Sequence, residues 1–165
     1  MVKQNQLKIT IKVDSFQRRA INEKVDFLLK YVNKEATLIQ LADLNTKRRL
    51  GWLEENKRAV KNYSYLSLPE IAHRMLYLEH MMIIPEHSVV EKISDKKIRV
   101  KSHNFCPYLE ACKLLGLDTK LICKEVGEPS CNHFVKEIDP RLKFYRDYSK
   151  IRPYHHYCEE FIEMI

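Results

Sequence analysis

The hydrophobic pattern of this chain changes its period near Pro85, and this change limits the folds available to it. Before Pro85, apolar residues recur at helical spacing, as on one face of an α-helix. After Pro85, two pairs of segments alternate apolar and polar residues, as half-buried strands do, and helical segments separate the two pairs. The pattern predicts an α+β fold in which N-terminal helices lead into a ββ-helices-ββ unit.

The first half of the chain, residues 1–86, is predicted to be mainly helical. Asp14 and Ser15 offer N-caps for the first helix. Residues 67–70 form a capping box, with proline in the first turn, for the third helix. The predicted elements are a strand over residues 7–13, a helix with the apolar stripe Ile21, Val25, Leu28 and Val32, a helix over residues 34–62 and a helix from Ser67 to about residue 84.

The second half, residues 87–165, contains all five cysteines and the four alternating segments. We expect one antiparallel four-stranded sheet, because short turns join the segments within each pair. Pro107, Asp118 and Pro129 are predicted to start the helices between the two pairs. The predicted strands lie near residues 88–93, 97–102, 142–149 and 157–164.

Length and composition are those of one globular domain spanning residues 1–165. No apolar run reaches the length of a membrane span, and the start, MVKQNQLKIT, lacks the apolar core of a signal peptide. We therefore expect a cytoplasmic protein without membrane contact.

The formal charge of +7 is dispersed along the chain, so a charged, heat-stable surface explains it better than nucleic-acid binding does. A homodimer stays open as an alternative to a monomer.

Polar residues interrupt the apolar faces of two predicted helices. Asn45, Arg49 and Asn56 fall on the seam of the second helix, where apolar side chains are expected to pack. Glu79 falls near the centre of the apolar arc of the third helix. Either the assumed helix phases are wrong, or these groups line an internal polar pocket. In the second case Arg49 and Glu79 are predicted to pair, because a buried charge is costly without a partner, and both would bind a ligand together with Asn45.

The opposite edge of the third helix carries Glu70, His73, Tyr77 and His80. Glu70 and His73 have the Glu-x-x-His spacing of metal-binding bundles, but the second copy that such bundles use is missing from the sequence. We therefore interpret this edge as a polar stripe in contact with solvent.

Cys106 is the strongest single candidate for chemistry. It precedes Pro107 at a predicted helix start, where unpaired backbone N–H groups and the helix dipole favour a thiolate. His103 lies three residues upstream and can act as a base or as a second ligand. The alternative is a cysteine that only replaces serine as a helix cap.

A metal site in the second half is a further hypothesis. If the sheet brings Cys106, Cys123 and Cys158 together, three soft ligands and a histidine such as His155 suit zinc or iron. The chain contains no CxxC pair, which disfavours a zinc ribbon. The alternative is a set of free, mostly buried thiols in a reducing cytosol.

Four runs in the second half resemble a known family. They are Asn104-Phe-Cys-Pro-Tyr-Leu-Glu-Ala-Cys-Lys-Leu-Leu-Gly116, Leu121-Ile-Cys-Lys124, Asp139-Pro-Arg-Leu-Lys-Phe144 and Tyr157-Cys-Glu-Glu160. Together, over about residues 88–165, they resemble the C-terminal half of proteins grouped with L-2-amino-thiazoline-4-carboxylate hydrolase, which are similar to 4-vinyl reductase and TRAPP-like domains. The resemblance implies an antiparallel sheet packed against helices around a small-ligand pocket. It also implies that Cys106, Cys123 and Cys158 match the recurrent cysteines of that pattern.

The favoured function is therefore a small-molecule-binding domain, with a hydrolase of a cyclic amidine or amide as its enzymatic version. In that version Cys106 is the nucleophile or a metal ligand, His103 assists it, and Arg49 recognises a carboxylate. A metal-binding sensor or adaptor without turnover is the second hypothesis. A basic nucleic-acid-binding protein is the third.

Overall fold

The computed structural model describes residues 14–165, and it is 59% helical and 17% strand. N-terminal helices followed by a four-stranded antiparallel sheet confirm the predicted α+β class. The strand predicted over residues 7–13 lies outside the described residues. Of the helices that the structure describes, none combines the length and the apolar character that crossing a membrane requires.

Two capped helices open the described part of the chain. Helix α1 (Ser15–Val32) begins after Asp14, whose side chain accepts a hydrogen bond from the Gln17 backbone amide at 2.7 Å. Helix α2 (Leu38–Asn56) begins after Thr37, whose hydroxyl caps the first turn. Each cap satisfies a backbone N–H that the helix itself leaves unpaired.

The second helix is shorter than predicted. At Asn56 the chain passes from α2 into a 3-10 helix (Lys57–Tyr63), whereas the pattern predicted one helix up to residue 62. The Nδ2 of Asn56 donates to the carbonyl oxygen of Trp52 at 2.8 Å. This side chain therefore competes with the backbone N–H for the acceptor of the last α-helical turn, and the α-helix ends there.

The third helix changes its pitch halfway. Helix α3 (Leu68–His73) begins in the predicted capping box and continues as a π-helix (Arg74–His80). A π-helical turn holds more residues than an α-helical turn, so side chains after His73 rotate away from the positions that α-helical spacing assigns to them. The helical segment ends at His80, earlier than the predicted limit near residue 84.

Four strands form the predicted antiparallel sheet. They are β1 (Ser88–Ser94), β2 (Lys97–Ser102), β3 (Leu142–Asp147) and β4 (Cys158–Met164). Their order in the sheet is β1-β2-β4-β3. The register of β3 and β4 sets Lys143 opposite Glu163 and Arg146 opposite Glu160, so basic side chains face acidic ones across the pair.

Three α-helices connect β2 to β3. They are α4 (Pro107–Leu115), α5 (Thr119–Ile122) and α6 (Glu128–Ile138), and a π-helical turn (Cys123–Gly127) joins the last two. Helix α4 starts at Pro107 as predicted. It ends at Gly116, whose φ of +65° is the left-handed conformation that favours glycine.

Two apolar clusters form the core of the described residues. The larger cluster packs α3, the π-helix after it and α6 against the sheet, and the smaller one packs α1, α2 and α4 together. Helix α2 contributes Leu53 to the larger cluster and Leu41 to the smaller one. Asn45 and Arg49 lie between these two leucines on the same buried face. Helix α2 therefore crosses the core with two polar side chains at its middle.

Candidate anion-binding site

Asn45 and Arg49 of α2 meet the first turn of α6 through Ser130. The Oγ of Ser130 accepts hydrogen bonds from the Nδ2 of Asn45 at 2.8 Å and from the Nε of Arg49 at 3.1 Å. The same hydroxyl donates to the carbonyl oxygen of Gly127 at 2.8 Å. Asn45 and Arg49 are only 2% and 6% exposed, so these bonds hold two buried side chains in a fixed orientation.

The guanidinium of Arg49 is only partly satisfied. Its Nη1 is buried and has no hydrogen-bond partner among the described residues. Leaving a buried donor unpaired costs about 1–3 kcal/mol, and more when the group is charged. Arg49 therefore presents a fixed positive donor for which residues 14–165 provide no acceptor.

The predicted pair between Arg49 and Glu79 does not form, and that prediction is wrong. Glu79 is exposed and accepts a hydrogen bond from the hydroxyl of Tyr63. The π-helix after His73 is the cause, because it rotates Glu79 out of the apolar arc. The predicted solvated stripe is also wrong, since His73 and Tyr77 are buried.

Lys24 of α1 is a second buried cation close to this site. Its Nζ lies 4.8 Å from the ring centroid of Tyr108 and 5.9 Å from that of Phe27. Lys24 is 9% exposed and has no hydrogen bond or ion pair with any residue that the structure describes. Burial, together with the charges of Arg48 and Arg49, lowers the pKa of Lys24 from 10.5 to about 8.

A cavity of about 110 Å³ lies between α1, α2 and α4. The residues that line it are Glu23, Lys24, Phe27, Leu44, Asn45, Arg48 and Tyr108. Glu23, Leu44 and Arg48 are exposed, so the cavity reaches the surface at their side chains. Another depression of the described surface, by contrast, is lined only by exposed side chains of α1 and contains no buried polar group.

Tyr108 supplies a second unpaired donor at this cavity. Its hydroxyl is buried and has no hydrogen-bond partner within the described part of the chain. Burial raises the pKa of Tyr108 to about 12, although the charges of Arg49 and Arg48 lower it. The phenol therefore remains protonated at neutral pH and can donate to an acceptor.

The three cations Lys24, Arg48 and Arg49, here named the basic cluster, make the surroundings of the cavity strongly positive. None of them belongs to an ion pair among the described residues, although Glu23 raises the pKa of Lys24 slightly. The charges of the basic cluster also act on His80, whose Nδ1 is buried and has no hydrogen-bond partner among the described residues. Burial and then the three charges of the basic cluster lower the pKa of His80 to about 3.

Cys106 occupies the predicted N-cap position of α4, but its thiol is not activated. Burial raises the pKa of the Cys106 thiol, and this effect outweighs the backbone amide of Leu109 and the charge of Arg152, which lower it. The thiolate expected at a helix N-terminus is therefore disfavoured. Cys106 does lie close enough to Lys24 and Tyr108 to raise the pKa of both groups.

The two histidines predicted to assist the cysteines lie elsewhere. His103 is exposed, and its ring centroid is 5.3 Å from that of His87. His155 packs edge-on against Tyr157, with 4.4 Å between the ring centroids. Within the described chain, no hydrogen bond joins either His103 or His155 to a thiol.

Cys106, Cys123 and Cys158 are electrostatic neighbours. Burial raises the pKa of Cys123 to about 12, and the thiols of Cys106 and Cys158 contribute to this increase. All five cysteines are free. Residues 14–165 nevertheless contain no group of three or more His, Cys, Asp or Glu side chains that could hold a metal ion. The side chains as arranged do not fit zinc or iron, and the metal site stays a prediction.

Arg146 of β3 has the partner that Arg49 lacks. Its Nε donates to an oxygen of Glu160 at 2.8 Å. Glu160 also accepts hydrogen bonds from the hydroxyls of Ser102, at 3.2 Å, and of Tyr77. This network satisfies its own charges across three strands and the π-helix, so we assign it a structural role.

Sequence reasoning identified Asn45 and Arg49 but missed Lys24, Tyr108 and Ser130. Lys24 carries a signal, because it lies three residues after Ile21 and four residues before Leu28, on the apolar stripe of α1. Tyr108 and Ser130 carry none, since their roles depend on how α4 and α6 pack against α2.

Comparison of the chain with protein-family models, with curated proteins and with solved structures found no match. This result does not test the resemblance to hydrolase-like proteins, which stays a hypothesis. The chemistry of the basic cluster and its cavity is therefore the basis for a functional assignment.

Proposed function

We propose that this protein binds a small organic anion, whose carboxylate is held by Arg49 beside Lys24 and Tyr108. One observation carries the proposal: the Nη1 of Arg49 is a buried, positively charged donor without an acceptor among residues 14–165. A buried arginine without a carboxylate partner is costly, and a bound carboxylate would provide the missing acceptor.

The neighbouring groups support an anionic ligand over a neutral or cationic one. Lys24 and Arg48 add two positive charges, and the hydroxyl of Tyr108 adds a second unpaired donor. Arg49 lies behind the cavity lining, to which its helix contributes Asn45 and Arg48. Its charge affects the pKa of Lys24 and Tyr108, which line the cavity. A hydrogen bond from a charged donor contributes about 1.5–3 kcal/mol, so donors that converge on one carboxylate suffice for selective binding.

The size of the cavity limits the ligand. A volume of about 110 Å³ is well below the roughly 300–1,000 Å³ of pockets that enclose drug-sized molecules. One water molecule accounts for about 30 Å³ of liquid volume, so the cavity accommodates a few non-hydrogen atoms. We therefore propose a ligand with a short carboxylate-bearing end.

Calorimetric titration with acetate, pyruvate and malonate tests this proposal, with acetamide as the neutral control. In the Arg49→Met protein, carboxylate affinity should fall at least about tenfold, the equivalent of losing one charge-assisted hydrogen bond. Lys47→Met is the matched control, because Lys47 is an exposed cation on the same helix. Equal losses in both variants, or equal binding of acetamide, would reject a specific site.

A hydrolytic version of the proposal uses Cys106 as a nucleophile. The observation that favours it is the position of Cys106 at the N-cap of α4, the helix whose first turn contributes Tyr108 to the cavity lining. Cyclic amides and cyclic amidines that carry a carboxylate are the substrates to assay. Loss of turnover in Cys106→Ser, with turnover retained in Cys131→Ser, would support catalysis. Equal turnover in Cys106→Ser and wild type would reject a nucleophilic role.

A further inference from the structure

Lys24 is the only buried lysine among residues 14–165, and its side chain lines the cavity without an ion pair to a described carboxylate. We propose that Lys24 is a nucleophile that forms a reversible imine with a ligand carrying both a carbonyl group and a carboxylate, as a 2-oxo acid does. The inference rests on the proposed anion site, and it adds a covalent step and a substrate class to that site.

The surroundings of the Lys24 amine favour its neutral form. The centroids of the Tyr108 and Phe27 rings lie 4.8 and 5.9 Å from its nitrogen. The ring faces attract a cation, but the same rings help to bury the amine, and this desolvation is the larger effect on its pKa. The titratable or charged groups that face it are Glu23 on its own helix, Arg48 and Arg49 on α2, Cys106 and Tyr108 at the start of α4, and His80 on the π-helix. The arginines outweigh Glu23, so the local potential disfavours an ammonium ion. Desolvation beside other cations is the established way to activate a lysine toward carbonyl compounds.

The pKa of about 8 gives this geometry a chemical consequence. At pH 7 roughly a tenth of the Lys24 side chains are neutral, against roughly one in three thousand for a lysine with the ordinary pKa of 10.5. Only the neutral amine attacks a carbonyl carbon. Lys24 should therefore react much faster than the exposed lysines of the same chain.

Arg49 supplies the orientation that the reaction needs. A carboxylate held by Arg49 keeps an adjacent carbonyl carbon near the basic cluster, and such positioning converts a reaction between two molecules into a reaction within one complex. A carbonyl compound without a carboxylate lacks this advantage. A 2-oxo acid fits the small cavity because its carbonyl group is directly bonded to the carboxylate carbon.

The covalent step is balanced without an oxidant or a reductant. The lone pair of the neutral Lys24 amine forms a bond to the carbonyl carbon, and the carbonyl π electrons move to oxygen. The two amine protons then leave with that oxygen as one water molecule, so a carbon–nitrogen double bond remains. Addition of water reverses the step.

Reductive trapping with pyruvate tests the proposal, and acetone is the matched carbonyl compound without a carboxylate. Sodium cyanoborohydride delivers a hydride to the imine carbon, and peptide mass mapping then locates the modified lysine. At pH 7, pyruvate should label Lys24 at least about tenfold faster than any exposed lysine, given its larger neutral fraction. The Arg49→Met variant should reduce pyruvate labelling of Lys24 at least about tenfold. Acetone labelling should fall much less, because acetone loses only the contribution of the Arg49 charge to the lowered pKa of Lys24.

The labelling pattern of the wild-type protein decides the question without any variant. Labelling spread evenly over exposed lysines such as Lys30 and Lys47, or absent from Lys24, would overturn the proposal. Calorimetry on the same sample separates the two claims. If pyruvate binds in an Arg49-dependent way but does not label Lys24, the imine proposal is rejected and the anion site stands. If neither pyruvate nor any other small carboxylate binds, the anion site is rejected as well.

Discussion

The Nε of Arg49 donates to the Oγ of Ser130 at 3.1 Å, and this bond fixes a guanidinium whose Nη1 has no acceptor among the described residues. Ser130 also accepts a hydrogen bond from Asn45 and donates one to Gly127, so two contacts besides the one with Arg49 hold it in place. The serine therefore orients the arginine without depending on it. A side chain held in this way is positioned to bind a ligand, and its own contribution to stability is small.

Replacement of Arg49 by methionine should leave the free energy of unfolding unchanged or raise it by up to about 2 kcal/mol. The physical reason is that a buried, unneutralised charge is removed, while methionine fills a similar volume. Urea denaturation followed by circular dichroism measures the change.

Arg146→Met is the contrasting variant, because it leaves the buried carboxylate of Glu160 without its partner. We expect a loss of about 3–5 kcal/mol for this change. A similar large loss in Arg49→Met would mean that Arg49 has a structural role and would contradict our account.

The lowered pKa of Lys24 should make stability rise with pH in the alkaline range. The pKa is about 8 in the folded protein and 10.5 without burial, so the unfolded chain binds more protons between these values. The penalty of burying the ammonium ion is fully present below pH 8 and is relieved by pH 10.5, a difference of about 3 kcal/mol. The free energy of unfolding is measured for wild type and Lys24→Met at pH 7.5 and pH 10. Tyrosines and cysteines titrate in both proteins, so their effect cancels and the difference between the two pH dependences is the contribution of Lys24. Parallel pH profiles would refute the assignment.

His80 should weaken the fold in acid. The pKa of His80 is about 3 in the folded protein and 6.5 in the unfolded chain. Between these values the imidazole is protonated in the unfolded chain and neutral in the folded protein. Its contribution is therefore lost as the pH falls from about 6.5 towards 3. The His80→Phe variant keeps an aromatic ring against Trp52 and Phe134, at 4.9 and 5.6 Å in the wild type, and removes the titrating group. Thermal unfolding between pH 4 and 7 should show a flatter decline in this variant than in wild type.

The strands and most helix starts follow from local patterns in the sequence. Asp14, the Ser67 capping box, Pro107 and Gly116 act within one helical turn, so their effects are visible in the sequence. The alternation of β1 to β4 is equally local. These features predicted the sheet and the order of elements correctly.

Glu79 and Lys24 show where local reasoning fails. The position of Glu79 depends on a π-helical turn, which α-helical spacing cannot represent, and one such turn moved it from the apolar arc to the surface. A lysine on an apolar stripe ordinarily extends its amine to solvent, so local reasoning does not predict that the amine of Lys24 is buried. Its burial depends on tertiary packing, in which Tyr108 of α4 lies against the amine.

Side-chain NMR of ¹⁵N-labelled arginine tests the central claim most directly, because it observes the proposed contact itself. The Nε–H of Arg49 is buried and hydrogen-bonded to Ser130, so it should exchange slowly with water and give a resolved signal that disappears in Arg49→Met. We predict that titration with pyruvate shifts this signal to saturation and leaves that of the exposed Arg58 unchanged. An Arg49 signal that stays constant while pyruvate binds, or that moves equally with acetamide, would contradict the assignment of Arg49 as the anion-binding residue.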